Sequence, residues 1–306
     1  MRLRSIKLVG ELGLVNAYGT LRGLLKERSP QVRAAASEAL ERLVYRPPYR
    51  LVIRALGNFQ VLRGDQEIRD RDWRSVKARH LLQLLLIERG RMLPREQIMD
   101  MLWPGLDSES ASNNLRVTVS RLIKALEPDR PEGAPTYYLL QQGDTYGFNV
   151  ESDHSYDVAR FVQVVEQGRR DLQLKRINEA RKAFQEAVNL YNGPFLPDSL
   201  YEDWSVVERE RLELLFIEAA LGLGHIFFDE GQFHEAIKLG WRVLEYDKAQ
   251  EEAYQLLIKA YHAIGERSTA IRLYQRCVTA LREELGVEPL PETVALFELV
   301  RGKRAS

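Results

Sequence analysis

Apolar positions along the chain change their period several times. From Leu8 to Leu43 the stretch "LVGELGLVNAYGTLRGLLKERSPQVRAAASEALERL" has helical spacing and no alternation, and Ser29-Pro30 opens its second helix with a cap residue followed by the ring that tolerates a first turn. "YRPPY", Tyr45 to Tyr49, breaks the pattern, because two prolines forbid helix continuation. From Leu51 the runs become strand-like, "LVIRALGNFQVLRG" and a short one near Glu67-Ile68, with turns predicted at Gly57-Asn58 and Gly64-Asp65. Helical spacing returns in "SVKARHLLQLLLIERG", in "PREQIMDMLWPG" and in the stretch around "SNNLRVTVSRLIKAL". "YYLLQQGDTYGFNV" then reads as a hairpin about Gly143-Asp144, and everything beyond Asp157 is helical again.

The third helix of the middle segment, predicted from about Ser110 to Leu126, carries Leu115, Val119, Leu122 and Leu126 at i, i+4, i+7 and i+11, the stripe of a helix packed on a core. The opposite side carries Asn113, Val117, Ser120 and Lys124, flanked by Asn114, Arg116 and Arg121. From Ser112 to Leu126 the charge is +3 with no acid. Strands, three helices and a hairpin in that order are the layout of a winged helix-turn-helix.

The last segment shows tandem similarity. "INEARKAFQEAVNLY", "FHEAIKLGWRVLEYD" and "STAIRLYQRCVTAL" each begin a helix after a Gly or polar turn, and Ala236 and Ala270 stand 34 apart, the period of a tetratricopeptide repeat. Ala180 to Ala236 is longer, 56, so an insertion containing "NGPFLPDSLYEDWSVVERERLEL" is expected between them. The N-terminal stretch is similar to one HEAT repeat, or is a generic helical hairpin. A lone repeat of that kind needs a neighbour, either the rest of the chain or another copy, to cover its face.

Composition narrows the function classes. With 45% hydrophobic and 29% charged residues the chain reads as globular, and no apolar run approaches the roughly 18 residues that span a bilayer. The basic N-terminus lacks a small-residue cleavage site, so no secretory signal is expected. Cys277 is the sole cysteine and sits in an apolar helical pattern, which suits a packed thiol in a reducing compartment. The five histidines form no metal spacing, and GxxxxGK[ST], GxGxxG and HExxH are absent, so no cofactor, metal or catalytic residue is expected. The net charge of zero conceals a gradient: residues 1–50 hold ten Lys/Arg against four Asp/Glu, and residues 151–306 hold twenty against twenty-seven. Nucleic acid binding is therefore disfavoured in the acidic last half of the chain.

"LRVTVSRLIKALEP" resembles the recognition helix of OmpR/PhoB-type winged helices, and "GDTYGF" the close of their wing. "NGPFLPD…YEDWSVVERERL" and "ALREELGVEPLPET" resemble the bacterial transcriptional activator domain of SARP-type regulators. The resemblance covers about Leu51 to Val300 and leaves the HEAT-like start outside. It implies a mainly α protein in three parts: residues 1–46, HEAT-like; 51–150, winged helix; and 155–302, a tetratricopeptide-like activator domain. Trp204, Glu208 and Arg209, with Leu285, Gly286 and Pro289, match family stretches and read as structural, Trp204 as core and Gly286 as a helix C-cap.

The same resemblance would place helix 110–126 in the major groove of double-stranded DNA. Asn113, Asn114, Val117 and Arg121 are then candidates for base edges, since asparagine pairs bidentately with adenine, arginine with guanine, and an aliphatic group with the thymine methyl. Arg116, Thr118, Ser120 and Lys124 are expected at phosphates or in mixed contacts, supported by Trp73, Arg74, Lys77 and Arg79 near the first helix and by Arg95 at the second. The wing offers Gln142, Thr145 and Tyr146, with glutamines where the family often places arginine. Asp107 and Glu109, in the loop that faces sigma factor in the family, would contact RNA polymerase. The implied function is a cytoplasmic activator, nucleoid-associated when bound, acting without cofactor or small-molecule substrate and as a homodimer at least on DNA. The competing readings are a tetratricopeptide-like interaction scaffold and the output part of a larger sensing regulator.

Overall fold

The structure is a computed structural model and describes residues 2–199 and 202–302. The chain divides into two compact units, the first comprising Met1–Ile53, Gln60–Ser155 and Tyr201–Ser205, the second Arg54–Phe59, Tyr156–Leu200 and Val206–Ser306.

The first unit begins with α1 (Arg2–Glu11), α2 (Tyr18–Leu24) and α3 (Pro30–Arg42). Ser29 caps α3 by accepting a hydrogen bond from Val32 N at 3.4 Å, with Pro30 in the first turn as the sequence predicts. Ile6, Leu21, Val32, Ala35, Ala36, Ala39 and Leu43 bury one another in a small core of their own. A Cβ on Gly10 would stand 2.9 Å from Ala39 Cα, so glycine there is what lets α1 and α3 approach backbone to backbone. Hydrogen bonds also tie these helices to the remainder of the unit: Arg22 donates to Gly133 O at 3.5 Å, and Tyr49 Oη to Leu126 O at 2.7 Å. The proline-broken stretch is thus a strap between the helical start and the middle of the unit.

Two small sheets flank the next helices. β1 (Leu51–Arg54), β2 (Gln60–Arg63), β3 (Gln66–Glu67) and β7 (His154–Tyr156) form one sheet in the order β3-β2-β1-β7, with β2 and β3 antiparallel. β4 (Leu93–Pro94), β5 (Leu139–Gln142) and β6 (Thr145–Phe148) form the second sheet, in the order β4-β6-β5. Gly57 and Gly64 take φ of 99° and 59° at the two predicted turns, a region open to glycine at no steric cost. In sequence α4 (Asp70–Trp73) and α5 (Val76–Ile87) follow β3, and α6 (Arg95–Leu102) and α7 (Ser108–Leu126) lie between β4 and β5. The short α4 and strands β4 and β7 are not predicted from sequence, since two to four residues carry too little periodicity to register.

The second unit is built from helices: α8 (Asp157–Gln173), α9 (Ile177–Leu190), α10 (Asp203–Asp229), α11 (Phe233–Tyr246), α12 (Glu251–Ala263), α13 (Arg267–Glu284) and α14 (Pro291–Arg301). Ala180, Ala236 and Ala270 are fully buried at the fourth position of α9, α11 and α13, which is why the repeat shows in the sequence. Small residues also set the helix spacing elsewhere. The Phe184 ring lies between two glycines, whose added Cβ atoms would come within 2.6 Å (Gly168) and 2.9 Å (Gly222) of it. Cys277 is fully buried, and burial pushes its thiol up to about 12, so it is packed and not nucleophilic. Gly286, at φ 69°, closes α13 with Gly286 N on Arg282 O and Val287 N on Leu281 O.

The stretch Arg54–Phe59 lies near the start of the segment predicted as the winged helix, 51–150, yet clusters with the second unit. Asp157, at the start of α8, accepts from Ala55 N at 2.8 Å and Leu56 N at 3.0 Å, and Leu56 bridges to Phe195. Burial raises the Asp157 carboxyl above the usual carboxylate range, with Ala55, Leu56 and Val158 N–H groups pulling the other way. Trp204 is half-buried, not core as its sequence context suggests: its Nε1 donates to Glu202 Oε2 at 3.1 Å. A short polar neighbour satisfies the indole and leaves part of the ring at the surface.

Candidate nucleic-acid interface

Helix α7 starts two residues before the predicted position, because Asp107 caps it by accepting from Ser110 N at 2.9 Å. That hydrogen bond holds the Asp107 carboxyl below its usual range. Ala111, Leu115, Val119, Leu122, Ala125 and Leu126 are buried, and each leucine so buried contributes about 1.5–3 kcal/mol to holding the helix in place. α5 packs against α7 through its own apolar run, with Leu81, Leu82 and Leu85 fully buried. With its inner face fixed, the rest of α7 is presented outward.

Asn113, Asn114, Arg116, Val117, Ser120, Arg121 and Lys124 are all exposed, Val117 at 43%. Three cations and no acid lie between residues 113 and 124; the helix's single acid, Glu109, stands in its first turn. Arg116 Nη2 donates to Asn113 Oδ1 at 3.3 Å, which couples two of the predicted contact residues. A shallow cleft of about 300 Å³ runs beside the same face, lined by Arg116, Ser120, Lys124 and Arg130 among others. Arg130 is a cation beside this face that the helical pattern does not announce, because it lies beyond the helix end.

Thr118 departs from the expectation. It sits three residues after Leu115 and four before Leu122, on the buried stripe, and is only 4% exposed, so its hydroxyl is not offered to a phosphate. Trp73 departs likewise: it is 4% exposed and its Nε1 donates to Ile68 O at 3.2 Å, placing the ring in the core.

The supporting cations differ in how free they are. Arg74 is exposed, at φ 56° after α4. Lys77 lies 3.7 Å from Glu202 and Arg79 3.6 Å from Asp70. Arg95 at the start of α6 donates to Ser112 Oγ on α7 and lies 3.5 Å from Asp144 in the hairpin turn, whose carbonyl also accepts Arg95 N at 2.9 Å. Arg95 therefore links the second helix, the third helix and the hairpin. The hairpin pairs Gln142 with Thr145 and Gln141 with Tyr146, its turn closed by Thr145 Oγ1 donating to Gln142 O at 2.8 Å. Gln142 is exposed, while Thr145 and Tyr146 are half-buried. Asp107 and Glu109 are exposed, one just before α7 and one in its first turn.

At the far end of α7, Glu127 is buried; its Oε1 accepts from Tyr137 N and Tyr138 N at 2.8 Å each, and burial raises its carboxyl above the ordinary range. Tyr138 Oη donates to Tyr49 O at 2.7 Å. The recognition-type helix, the hairpin and the strap from the N-terminal helices thus share one hydrogen-bonded joint.

A helix packed by one face on α5, capped at the start, open on the other face and followed by a hairpin is a winged helix-turn-helix, here in one chain with a tetratricopeptide-like helical unit. The profile of the C-terminal domain of transcriptional regulatory proteins matches residues 73–141, and that of the bacterial transcriptional activator domain residues 156–301. The two matches together give the chain an OmpR/PhoB-type winged helix followed by a bacterial transcriptional activator domain, the pair of domains found in SARP-type regulators. Among its relatives, regulatory protein AfsR of Streptomyces coelicolor is 24% identical over 220 residues, covering 71% of this chain and 21% of AfsR. Transcriptional regulatory protein EmbR of Mycobacterium tuberculosis is 25% identical over 229 residues, covering 73% of this chain and 57% of EmbR. A solved structure of Mycobacterium tuberculosis EmbR in complex with a low affinity phosphopeptide shares the fold, at TM-score 0.71 and 22% identity over 84% of this chain and 66% of that one. The chain thus spans about a fifth of AfsR and somewhat over half of EmbR. No described helix is long and apolar enough to cross a membrane.

Proposed function

We propose that the protein is a sequence-specific DNA-binding transcriptional activator that places α7 in the major groove. The observation that carries this is the outer face of α7, with its exposed asparagines, Val117 and three cations, no acid between residues 113 and 124, and a buried stripe behind it. Asn113, Asn114, Val117 and Arg121 are assigned to base edges. Arg116, Ser120 and Lys124, with Arg74, Lys77 and Arg79, are assigned to phosphates or mixed contacts, and Arg95 to positioning α7 against the wing. Gln142, Thr145 and Tyr146 form a weakly charged wing. Residues 51–150 act as the reader and 155–302 as the activator part, with 1–46 an addition before them. The protein acts in the cytoplasm, on the nucleoid when bound, and without catalysis.

Few cations per copy mean few neutralised phosphates, so one copy binds weakly at physiological salt and two copies side by side supply the affinity. Asp107 and Glu109 are the acidic contacts offered to a basic surface of sigma factor, so activation proceeds by recruiting RNA polymerase. The test is selection of bound sequences from a random duplex pool. Enrichment of a motif repeated at helical-turn spacing is expected; a pool that stays random after repeated rounds overturns the reading.

A further inference from the structure

The second unit carries an open groove of about 640 Å³ on its surface. Phe184 and Leu221, both buried, line it, and Leu172, Ile177 and Leu214 expose their side chains along it, Leu214 at 65%. Exposed aliphatic side chains gathered about a concave surface mark a contact surface more than a solvated one. Its charges are acidic: Glu218, Asp229, Glu230 and Glu252 line it against one arginine, Arg169. Glu218 is matched by Arg169 at 2.5 Å, Glu230 lies 3.4 Å from Arg181 and Glu252 lies 3.0 Å from His225, whereas Asp229 is exposed at the end of α10.

The complementary surface lies elsewhere in the same sequence. α1 buries Ile6 and Gly10 against α3, and its opposite ridge runs Arg4, Leu8 and Leu12, each exposed, with Lys7 beside it. Leu8 and Leu12 are 51% and 60% exposed, and Leu14 comes next at 48%. Spacing of four places them in line on one side, about 6 Å apart along the axis. Residues 1–50 hold ten Lys/Arg against four Asp/Glu, the reverse of the acidic last half. An isolated HEAT-like segment that closes only a small core of its own leaves such a ridge without a neighbour.

We propose that the groove between α8, α9, α10 and the start of α12 receives the α1 ridge of a second copy of this chain, Leu8 and Leu12 entering the apolar floor while Arg4 and Lys7 face the rim that carries Asp229. The contact is heterologous, one surface meeting a different one, so it orders copies head to tail in a ring or a run. It rests on the side-by-side binding proposed above only for its use on DNA; the contact itself forms without DNA.

The experiment is sedimentation velocity of the full chain across the micromolar range, without DNA, on the parent and on Leu8→Glu and Leu214→Glu. The parent is expected to associate with concentration. Each variant is expected to dissociate at least about tenfold more readily, the effect of losing a central apolar anchor. Mixing the two variants is the deciding arm. Leu8→Glu keeps a sound groove and Leu214→Glu keeps a sound ridge, so the mixture forms a one-to-one pair that neither makes alone. A parent that stays monomeric overturns the proposal and leaves the groove to the chain's own helix or to another protein. Variants that associate like the parent, or a mixture that fails to pair while both keep parental thermal unfolding, overturn it equally. Binding of the selected DNA by Leu8→Glu monomer at low salt is retained if the α7 assignment holds, so the two readings fail separately.

Discussion

Replacing Arg121 by alanine tests the assignment of α7 most directly. The Arg121 guanidinium is exposed on the outer face, four residues after Val117 and one after Ser120, and forms no described hydrogen bond or ion pair. Its removal therefore leaves the inner stripe of Leu115, Leu122 and Leu126 untouched, and thermal unfolding is expected to stay within a degree or so of the parent, as for other surface changes. A bidentate arginine–guanine pair discriminates by about 1–3 kcal/mol, so affinity for the selected site should fall roughly 5- to 150-fold. The assay is fluorescence anisotropy against the selected duplex and against a duplex changed at one base pair at a time, over a range of salt. Loss of discrimination at one position with a nearly unchanged salt slope identifies a base contact. Loss that is uniform over sequences, with the slope lower by about one, identifies a phosphate contact instead. Unchanged affinity and unchanged selectivity would falsify the placement of α7 in the groove.

Val117→Ser should relax preference at one thymine by about 1 kcal/mol, read by the same single-base series; unaltered preference removes Val117 from the base-reading set. Gln142→Arg should tighten binding to sites flanked by A·T pairs, where a narrow minor groove attracts a guanidinium, and a gain independent of flanking sequence counts against the wing assignment. Gly168→Ala places a Cβ 2.6 Å from a Phe184 ring that Gly222 backs on its other side. Overpacking of about 1–3 kcal/mol, offset by about 1 kcal/mol of helix propensity, leaves up to about 2 kcal/mol of destabilisation, visible as a lower unfolding midpoint. An unchanged or higher midpoint shows that the ring has room to move. Glu127→Gln addresses the joint at the end of α7. Burial raises the Glu127 carboxyl, so the parent gains stability from this group as pH falls toward the unfolded-state value and loses it as pH rises through the folded-state one. Glutamine does not titrate, so its advantage over the parent should be larger at pH 8 than at pH 5; a difference that does not change with pH contradicts the buried carboxylate.

Residues whose role is set by periodicity are legible in the sequence. The leucine stripe of α7 determines which of its residues face out, and Asn113, Val117 and Arg121 are exposed as that stripe requires. The tandem alanines at 180, 236 and 270 mark three helices because each is a side chain small enough for a fully buried helix contact at its place. Thr118 marks where the pattern is too coarse: a stripe of four apolar residues shows where the core lies but not how wide it is, and the helices packed on α7, which are α4, α5 and α6, leave the threonine buried as well. Trp73 turned inward for a related reason, since a carbonyl at Ile68 supplied the partner its indole needed.

Other features belong to tertiary structure alone. That Arg95 links α7 to the hairpin depends on bringing Ser112 and Asp144 to the same guanidinium, and nothing in the spacing of the three announces it. Arg54–Phe59 joins a unit that begins a hundred residues later because Asp157 accepts its backbone N–H groups, and a backbone donor has no sequence signature at all. Period and composition are local, so the sequence by itself determined the elements, their inward faces and the charge of each segment. Hydrogen-bond partners and the width of a buried stripe are set by what arrives from elsewhere in the chain, and only the folded structure decided those.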